Sequence, residues 1–501
     1  MPDPDYDLFI IGGGINGCGI ARDAAGRGLK VGLAEMGDLA QGTSSASTKL
    51  IHGGLRYLEH YEFSLVREAL KERETLLAIA PQIVRPLRFV LPHGAGMRPA
   101  WVLRIGLILY DHLARRVSLP GSTRLNLRAH VAGEPLRDDL KTGFEYSDCS
   151  VDDARLVILN ARDAARRGAD ILTRTRPVEM RSNGGHWQVT VQRDGGRERR
   201  FTAAAIVNAA GPWVDIVSGA IEDARHSPRV RLVQGAHIVV RKLFDHDRAY
   251  ILQNTDGRIV FAIPYQGEFT LIGTTDTDFA SDPIGARAKD TEIDYLLACV
   301  NRYFRRPSTR ADVVWTFAGV RALAGTGEGN AQAASREYEL ALEICDGAPV
   351  LTVLGGKITS YRTLAEAVMK RLGAVFPDDE RLPSPSWTGT APLPGGKSLS
   401  AAVKDAAASM LDRHDWLTPQ ILDRWVAAYG TDFAQVCACF EQEGGPGRYF
   451  GAGLYEAEVR WLMRNEWAET ADDIAWRRSK LGLFLQPAEF AALDDWMAQA
   501  R

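Results

Sequence analysis

Tyr6-Asp-Leu-Phe-Ile-Ile-Gly12-Gly-Gly14-Ile-Asn-Gly17 leads, through a helix-like stretch to Gly28, into Val31-Gly-Leu-Ala-Glu35. The order is an apolar run, a Gly-x-Gly-x-x-Gly turn, a helix and a second apolar run. This is the opening of a βαβ unit, whose glycines let a pyrophosphate rest on a helix N-terminus. Glu35 stands eighteen residues past Gly17, where a carboxylate accepts hydrogen bonds from ribose hydroxyls. The motif predicts a dinucleotide site on Gly12, Gly14, Gly17 and Glu35. By itself it does not separate FAD from NAD.

The next distinctive stretch is Ser44-Ser-Ala-Ser-Thr-Lys-Leu-Ile-His52-Gly-Gly-Leu-Arg56-Tyr-Leu58. It supplies small hydroxyls (Ser44, Ser45, Ser47), Lys49, a His52-Gly53-Gly54 turn and Arg56. Two adjacent glycines let backbone amides approach a large planar ligand. A plain nicotinamide fold does not usually carry this addition. The pair of motifs therefore points to a flavin and to oxidation of an anionic substrate.

Outward from these motifs the chain alternates. Leu65 to Ala80 and Val151 to Arg167 have helical patterning, and the second stops at Gly168, a helix-ending residue. Ile171 to Thr175 is a predicted strand, His186 to Val191 and Glu198 to Thr202 a predicted hairpin, and Ala203 to Ala209 a separate buried strand. Residues 229 to 275 alternate like an antiparallel sheet. Val350 to Arg362 is a second strand, turn and helix start. Five prolines between Pro377 and Pro394 predict a linker, and the rest of the chain has helical spacing. The division expected is a discontinuous nucleotide domain (1–80, 151–215 and 345–376), a substrate domain (81–150 and 216–344), a linker (377–397) and a helical domain (398–501).

Composition bounds the function. The chain has 501 residues, 46% hydrophobic and 25% charged, with a net charge of −3. Basic runs go no further than pairs such as Arg305-Arg306, so no nucleic-acid face is expected. The six cysteines have no Cys-x-x-Cys pairing and no metal spacing, and they read as reduced structural thiols. No metal site is expected. The N-terminus is acidic and enters a strand directly, so no signal peptide is expected. No apolar run reaches the about eighteen residues of a membrane span. Trp101 to Ala114, with arginines at both ends, suits either a buried helix or one lying at a lipid surface.

Gly355-Gly356-Lys357 superficially looks like a phosphate loop. It is not a Walker motif, because Ile358 follows the lysine where Ser or Thr is required. Lys357 at a helix start suits a flavin edge that becomes negative on reduction, and it equally suits substrate. Substrate phosphate calls for planar cationic forks, for which Arg56, Arg321 and Arg336 are the candidates, with Tyr57 and Thr359 as further donors. Removal of a hydroxyl proton needs a base; His237, at the start of a predicted strand, is the first candidate and His52 the competitor.

The motifs Gly12–Gly17, Ser44–Leu58 and Gly355–Arg362, with Asn208–Trp213, Gly273–Asp276 and Gly319–Arg321, closely resemble the FAD-dependent sn-glycerol-3-phosphate dehydrogenase family, in its bacterial aerobic respiratory form. The resemblance implies an α/β plus α chain. A Rossmann-like FAD domain of the glutathione-reductase/D-amino-acid-oxidase type would join an antiparallel-sheet substrate domain and a C-terminal helical domain. It implies non-covalent FAD contacted also by Asn16, Ala210, Gly211, Trp213, Gly356, Ile358 and Thr359, and catalytic roles for His237, Arg321, Lys357 and Arg56. It further implies oxidation of sn-glycerol 3-phosphate to dihydroxyacetone phosphate, with electrons passed to a membrane quinone. The enzyme would sit peripherally on the cytoplasmic face of the inner membrane, partly in the cytoplasm, with a homodimer as one option. Rival activities are a glycerol-3-phosphate oxidase that uses oxygen, and an amine or amino-acid oxidase on the same fold.

Overall fold

The computed structural model describes residues 3–94, 97–222, 230–325, 337–376, 379–382, 385–397, 405 and 408–501. The chain opens as β1 (Tyr6–Ile11), α1 (Ile15–Gly26) and β2 (Val31–Ala34). It continues through β3 (Leu50–Ile51), α2 (Phe63–Ile79), β4 (Val84–His93), α3 (Ala100–His112), β5 (Thr123–Asn126) and β6 (Thr142–Val151). Next come α4 (Asp153–Arg166), β7 (Asp170–Leu172), β8 (Thr175–Asn183), β9 (His186–Arg193), β10 (Glu198–Asn208) and α5 (Val214–Gly219). Then follow β11 (Val230–Arg241), β12 (Ala249–Gln253), β13 (Ile259–Tyr265), β14 (Phe269–Gly273), β15 (Thr277–Asp278) and α6 (Asp290–Asn301). Last are β16 (Val313–Ala324), β17 (Glu339–Cys345), β18 (Ala348–Leu354) and α7 (Tyr361–Gly373).

Two sheets organise these strands. The first runs β17-β18-β10-β1-β2-β7, with the β8–β9 hairpin joined to β10. β10, β1, β2 and β7 pair parallel, as do β10 and β18. Leu8 to Ile11 in β1 are buried, as a central parallel strand covered on both faces requires. The second sheet runs β15-β11-β14-β13-β12-β4-β6-β3, with β16 on β11 and β5 on β6, and it is almost wholly antiparallel.

The structure corrects some sequence expectations. Glu198–Thr202 and Ala203–Ala209 are one continuous strand rather than two, so the hairpin edge runs straight into the parallel sheet. Ile171–Thr175 is broken, because Arg174 takes a positive φ of 50° between β7 and β8. The Pro-rich connection is packed where it is described. Leu382 and Leu393 sit in the core of the nucleotide unit, and the Trp387 ring lies beneath the Arg22 and Arg167 guanidinium groups.

The C-terminal region has its own core around Trp425, Phe433 and Trp461. It docks on α4 through buried ion pairs. Glu466 receives Arg155, at 3.0 Å from Nη2 to Oε1, and Arg162 at 3.3 Å. Those charges are desolvated, so each guanidinium needs this partner to remain buried.

Candidate active site

β1 ends at Gly12, which has a φ of 112°, and a Cβ there would lie 2.5 Å from the Ala209 carbonyl oxygen. Only glycine fits that turn. Gly17 is close-packed for a different reason: a Cβ would meet the Gly12 carbonyl oxygen at 1.9 Å, so it brings α1 against the turn. Ile15 N–H donates to Ser44 Oγ at 3.0 Å, tying the α1 start to the short turn Thr43–Ser45. Glu35 accepts from Gly13 N–H at 2.6 Å and Gly37 N–H at 2.8 Å. Burial pushes its carboxyl above the usual range, and those two amides oppose the push.

These pieces line one cavity of about 1500 Å³. It begins at Gly12, Gly14, Asn16 and Glu35 and passes Ser44, Ser45 and Ser47. Ala210, Gly211 and Trp213 lie along it, as do Gly356, Lys357, Ile358 and Thr359. His52, Tyr57 and Arg321 line it as well. The motifs at 12–17, 44–57, 210–213 and 355–359 thus converge although hundreds of residues separate them.

Lys357 Nζ stands 4.0 Å over the Tyr57 ring, a cation–π pair. Arg321 Nη1 donates to Asp276 Oδ1 at 2.5 Å and Nη2 to Thr274 Oγ1 at 3.3 Å. The carboxylate orients the guanidinium on β16, and Arg321 still borders the cavity. His52, half-buried, faces the ring of Phe261 edge-on at 6.5 Å.

Several sequence-predicted residues lie elsewhere. His237 does not border the cavity. It is buried, stacked on Phe317 at 4.8 Å, and its Nε2 lies 3.0 Å from Thr48 Oγ1. Burial, with the positive charges of Arg321 and Lys49, holds its pKa well below the usual histidine value. Lys49 turns inward to Asp153, 2.8 Å away, and donates to the Ser45 carbonyl oxygen at 2.9 Å. Gly53 serves packing, because a Cβ would meet Leu70 and the Tyr110 hydroxyl at 2.6 Å. Gly54 forms the turn with a φ of 76°. Arg56 is half-buried in the turn Leu55–His60 and does not line the cavity. Arg336 lies outside the described residues.

Other wall residues were not anticipated: Thr48, Phe261, Thr274, Trp315, Phe317 and Trp476. Thr274 sat in a quoted motif with no role assigned. Trp476 carried no signal at all, since its place depends on the C-terminal region folding over the cavity.

The residues fit FAD. A strand–turn–helix cradle closes to side chains at Gly12, and the cavity is long enough to run from Glu35 to the second sheet. Asn16 points Nδ2 to the Gly355 carbonyl oxygen at 3.2 Å and leaves a buried Oδ1 with no hydrogen-bond partner at the wall. Among the described residues no group of three or more His, Cys, Asp or Glu could hold a metal ion.

A dinucleotide cradle opening onto a basic, imidazole-bearing chamber defines a flavin-dependent oxidoreductase. Residues 7–362 match the model of the FAD dependent oxidoreductase family, and residues 386–499 that of the C-terminal domain of alpha-glycerophosphate oxidase. A glycerol-3-phosphate dehydrogenase of Pseudomonas aeruginosa is 49% identical, covering 98% of this chain and 95% of that protein. A D-erythritol 1-phosphate dehydrogenase of Brucella abortus is 50% identical, covering 100% of this chain and 99% of that one. A glycerol-3-phosphate dehydrogenase of Bacillus halodurans, solved with FAD, superposes with a TM-score of 0.78 at 28% identity, covering 100% of this chain and 91% of that one. The chain belongs to the FAD-dependent oxidoreductase family and, within it, to the FAD-dependent glycerol-3-phosphate dehydrogenases.

Proposed function

We propose that the chain oxidises the secondary alcohol of sn-glycerol 3-phosphate to dihydroxyacetone phosphate and passes the electrons to a membrane quinone. The observation that carries this reading is that Arg321, Lys357 and His52 line the same cavity as the dinucleotide cradle. Bound FAD supplies the hydride acceptor. Arg321, oriented by Asp276, holds the phosphate through its planar fork. Lys357, seated over Tyr57, adds a second positive charge to the cavity lining. His52 is the better-placed base, because it borders the cavity while His237 stands behind Thr48 and Phe317. His237, held neutral, would position Thr48 instead of touching substrate.

Anaerobic addition of sn-glycerol 3-phosphate should bleach the flavin absorption, and a soluble quinone should restore it. Bleaching by glycine or sarcosine alone would favour the amino-acid oxidase reading. Stoichiometric peroxide release without quinone would favour the oxidase. The relative that acts on D-erythritol 1-phosphate supports a second reading, in which the longer polyol phosphate is the substrate. The ratio of kcat/KM for the two esters decides between them.

A quinone acceptor requires access to lipid. Among the described residues no helix is long and apolar enough to cross a membrane. Peripheral attachment at the inner membrane is supported by α3, which exposes Trp101 (67%), Ile105 (58%), Ile108 and Leu109 on one side. Arg98, Arg115 and Arg116 flank that apolar surface, the pattern of a helix lying among headgroups. Replacing Trp101 and Ile105 by Asp should abolish co-sedimentation with anionic vesicles while dye-coupled turnover persists. Undiminished sedimentation would remove α3 from the proposal.

A further inference from the structure

The loop after β2 carries Glu35 and gives the cavity six wall residues: Glu35, Met36, Gly37, Ala40, Gln41 and Gly42. Part of its shape comes from neighbours in sequence and in the first sheet. Ala40 N–H donates to the Gly13 carbonyl oxygen at 3.0 Å, and Arg174 N–H donates to the Gly37 carbonyl oxygen at 2.8 Å. The rest comes from the far end of the chain.

Asp38 is fully buried in this loop. Its carboxylate is gripped from the C-terminal region by two guanidinium groups. Arg477 Nε donates to Oδ2 at 2.5 Å, Arg478 Nη2 donates to Oδ1 at 2.8 Å, and Arg478 Nη1 also reaches Oδ2. Arg477 is itself fixed by Asp473 at 2.6 Å and Asp472 at 2.7 Å, and Asp473 takes Arg174 at 2.8 Å. The same turn, Asp473–Arg478, sends Trp476 onto Trp315 in a stack of 4.3 Å at 16°. Asp472, Trp476 and Arg477 then form part of the cavity wall.

A buried carboxylate between two arginines is costly to desolvate, and greasy packing would join two domains at less expense. Such a network is suited to specifying one geometry. Here that geometry belongs to the loop that bears Glu35.

We propose that residues 472–478 of the C-terminal region are part of the cofactor site: they lock the Glu35–Gly42 loop in its binding conformation and thereby set how tightly FAD is retained. The role is one of positioning, exerted through Asp38 and the Trp476–Trp315 stack. It holds whichever polyol phosphate is the substrate, so a failure of the substrate assignment leaves it standing.

The test is FAD affinity of the full-length chain, measured by reconstituting apoprotein and following flavin fluorescence. Asp38→Asn keeps the shape and removes the charge that holds both arginines. If the loop then adopts its binding conformation about a tenth of the time, apparent affinity falls about tenfold. Trp476→Leu should weaken retention in the same direction, and Trp476→Phe should restore it. Thermal unfolding of each apoprotein, read by far-ultraviolet circular dichroism, separates loop release from loss of the fold. Weaker FAD binding in Trp476→Leu with an unchanged apoprotein midpoint supports the proposal; Asp38→Asn, which strands two buried guanidinium groups, is expected to lower its midpoint as well. Unchanged FAD affinity in both Asp38→Asn and Trp476→Leu overturns it. So does a Trp476→Leu loss of affinity that appears only together with a lowered apoprotein midpoint.

Discussion

On the proposed reading Arg321 meets the substrate phosphate, and its partner Asp276 makes the size of the effect calculable. Arg321→Ala removes hydrogen bonds between charged groups, worth about 1.5–3 kcal/mol. It also leaves Asp276, 11% exposed at the side chain, without this counter-charge and one guanidinium's width behind the phosphate. At an effective dielectric of about 20 that repulsion adds about 2 kcal/mol. The sum, about 3–5 kcal/mol, is a fall of about 10²- to 10⁴-fold in kcat/KM.

The two contributions separate in a double-mutant cycle. Asp276→Asn in the Arg321→Ala background removes the repulsion and should regain about tenfold or more. The assay is dye-coupled turnover of sn-glycerol 3-phosphate, normalised to flavin content so that cofactor loss is not counted as lost catalysis. A single variant within about threefold of the parent would refute the phosphate role. A double variant no better than the single would refute the electrostatic account of Asp276.

Gly12→Ala forces a Cβ into the Ala209 carbonyl at a φ of 112°, so the purified variant should contain little FAD; parent-like flavin absorbance would contradict the tight-turn account. Lys49→Met strands the fully buried Asp153 carboxylate, which Lys49 and Lys480 hold below its usual pKa against the opposing effect of burial; a loss of about 3–5 kcal/mol in urea unfolding is expected. His237 stays neutral in the folded chain while an unfolded histidine takes up a proton below about pH 6.5, so this residue makes stability fall as pH drops through that value. His237→Asn should flatten the decline between pH 7.5 and 5.5 by up to about 1.4 kcal/mol per pH unit, and an unchanged slope would place the ring in water.

The parts of the fold that were legible in the sequence are those whose cause is local. Gly12 needs its positive φ because of the turn it makes, and Leu8 to Ile11 are apolar because a parallel strand between two others has no wet face. The Gly355-Gly356-Lys357 turn reads as a strand end for similar reasons, with φ of 74° and 96° at its glycines. The hairpin at Arg193–Gly196 was visible from its turn residues, yet the continuity of β10 was not. Nothing in Glu198–Asn208 marks where pairing passes from β9 to β1 and β18, since one extended strand serves both.

Side-chain direction within the 44–58 stretch is where local reasoning stops. Ser47, Thr48 and Lys49 are consecutive and polar, and each could have faced a ligand. Their destinations are decided by Asp153, about a hundred residues away, which takes Ser47 Oγ at 2.7 Å and Lys49 Nζ at 2.8 Å. Lys49 takes a φ of 61° and turns inward, leaving Thr48 on the cavity wall with its hydroxyl against His237. The same logic moves the proposed base from His237 to His52. A histidine on β11 in the second sheet is as plausible from sequence as one in a glycine turn. The placement of Phe317, stacked over the His237 ring from β16, helps to bury the first, while the second borders the cavity. A His52→Gln variant should therefore lose the proton-dependent limb of kcat against pH, while His237→Gln should retain it; the opposite pattern would restore His237 as the base.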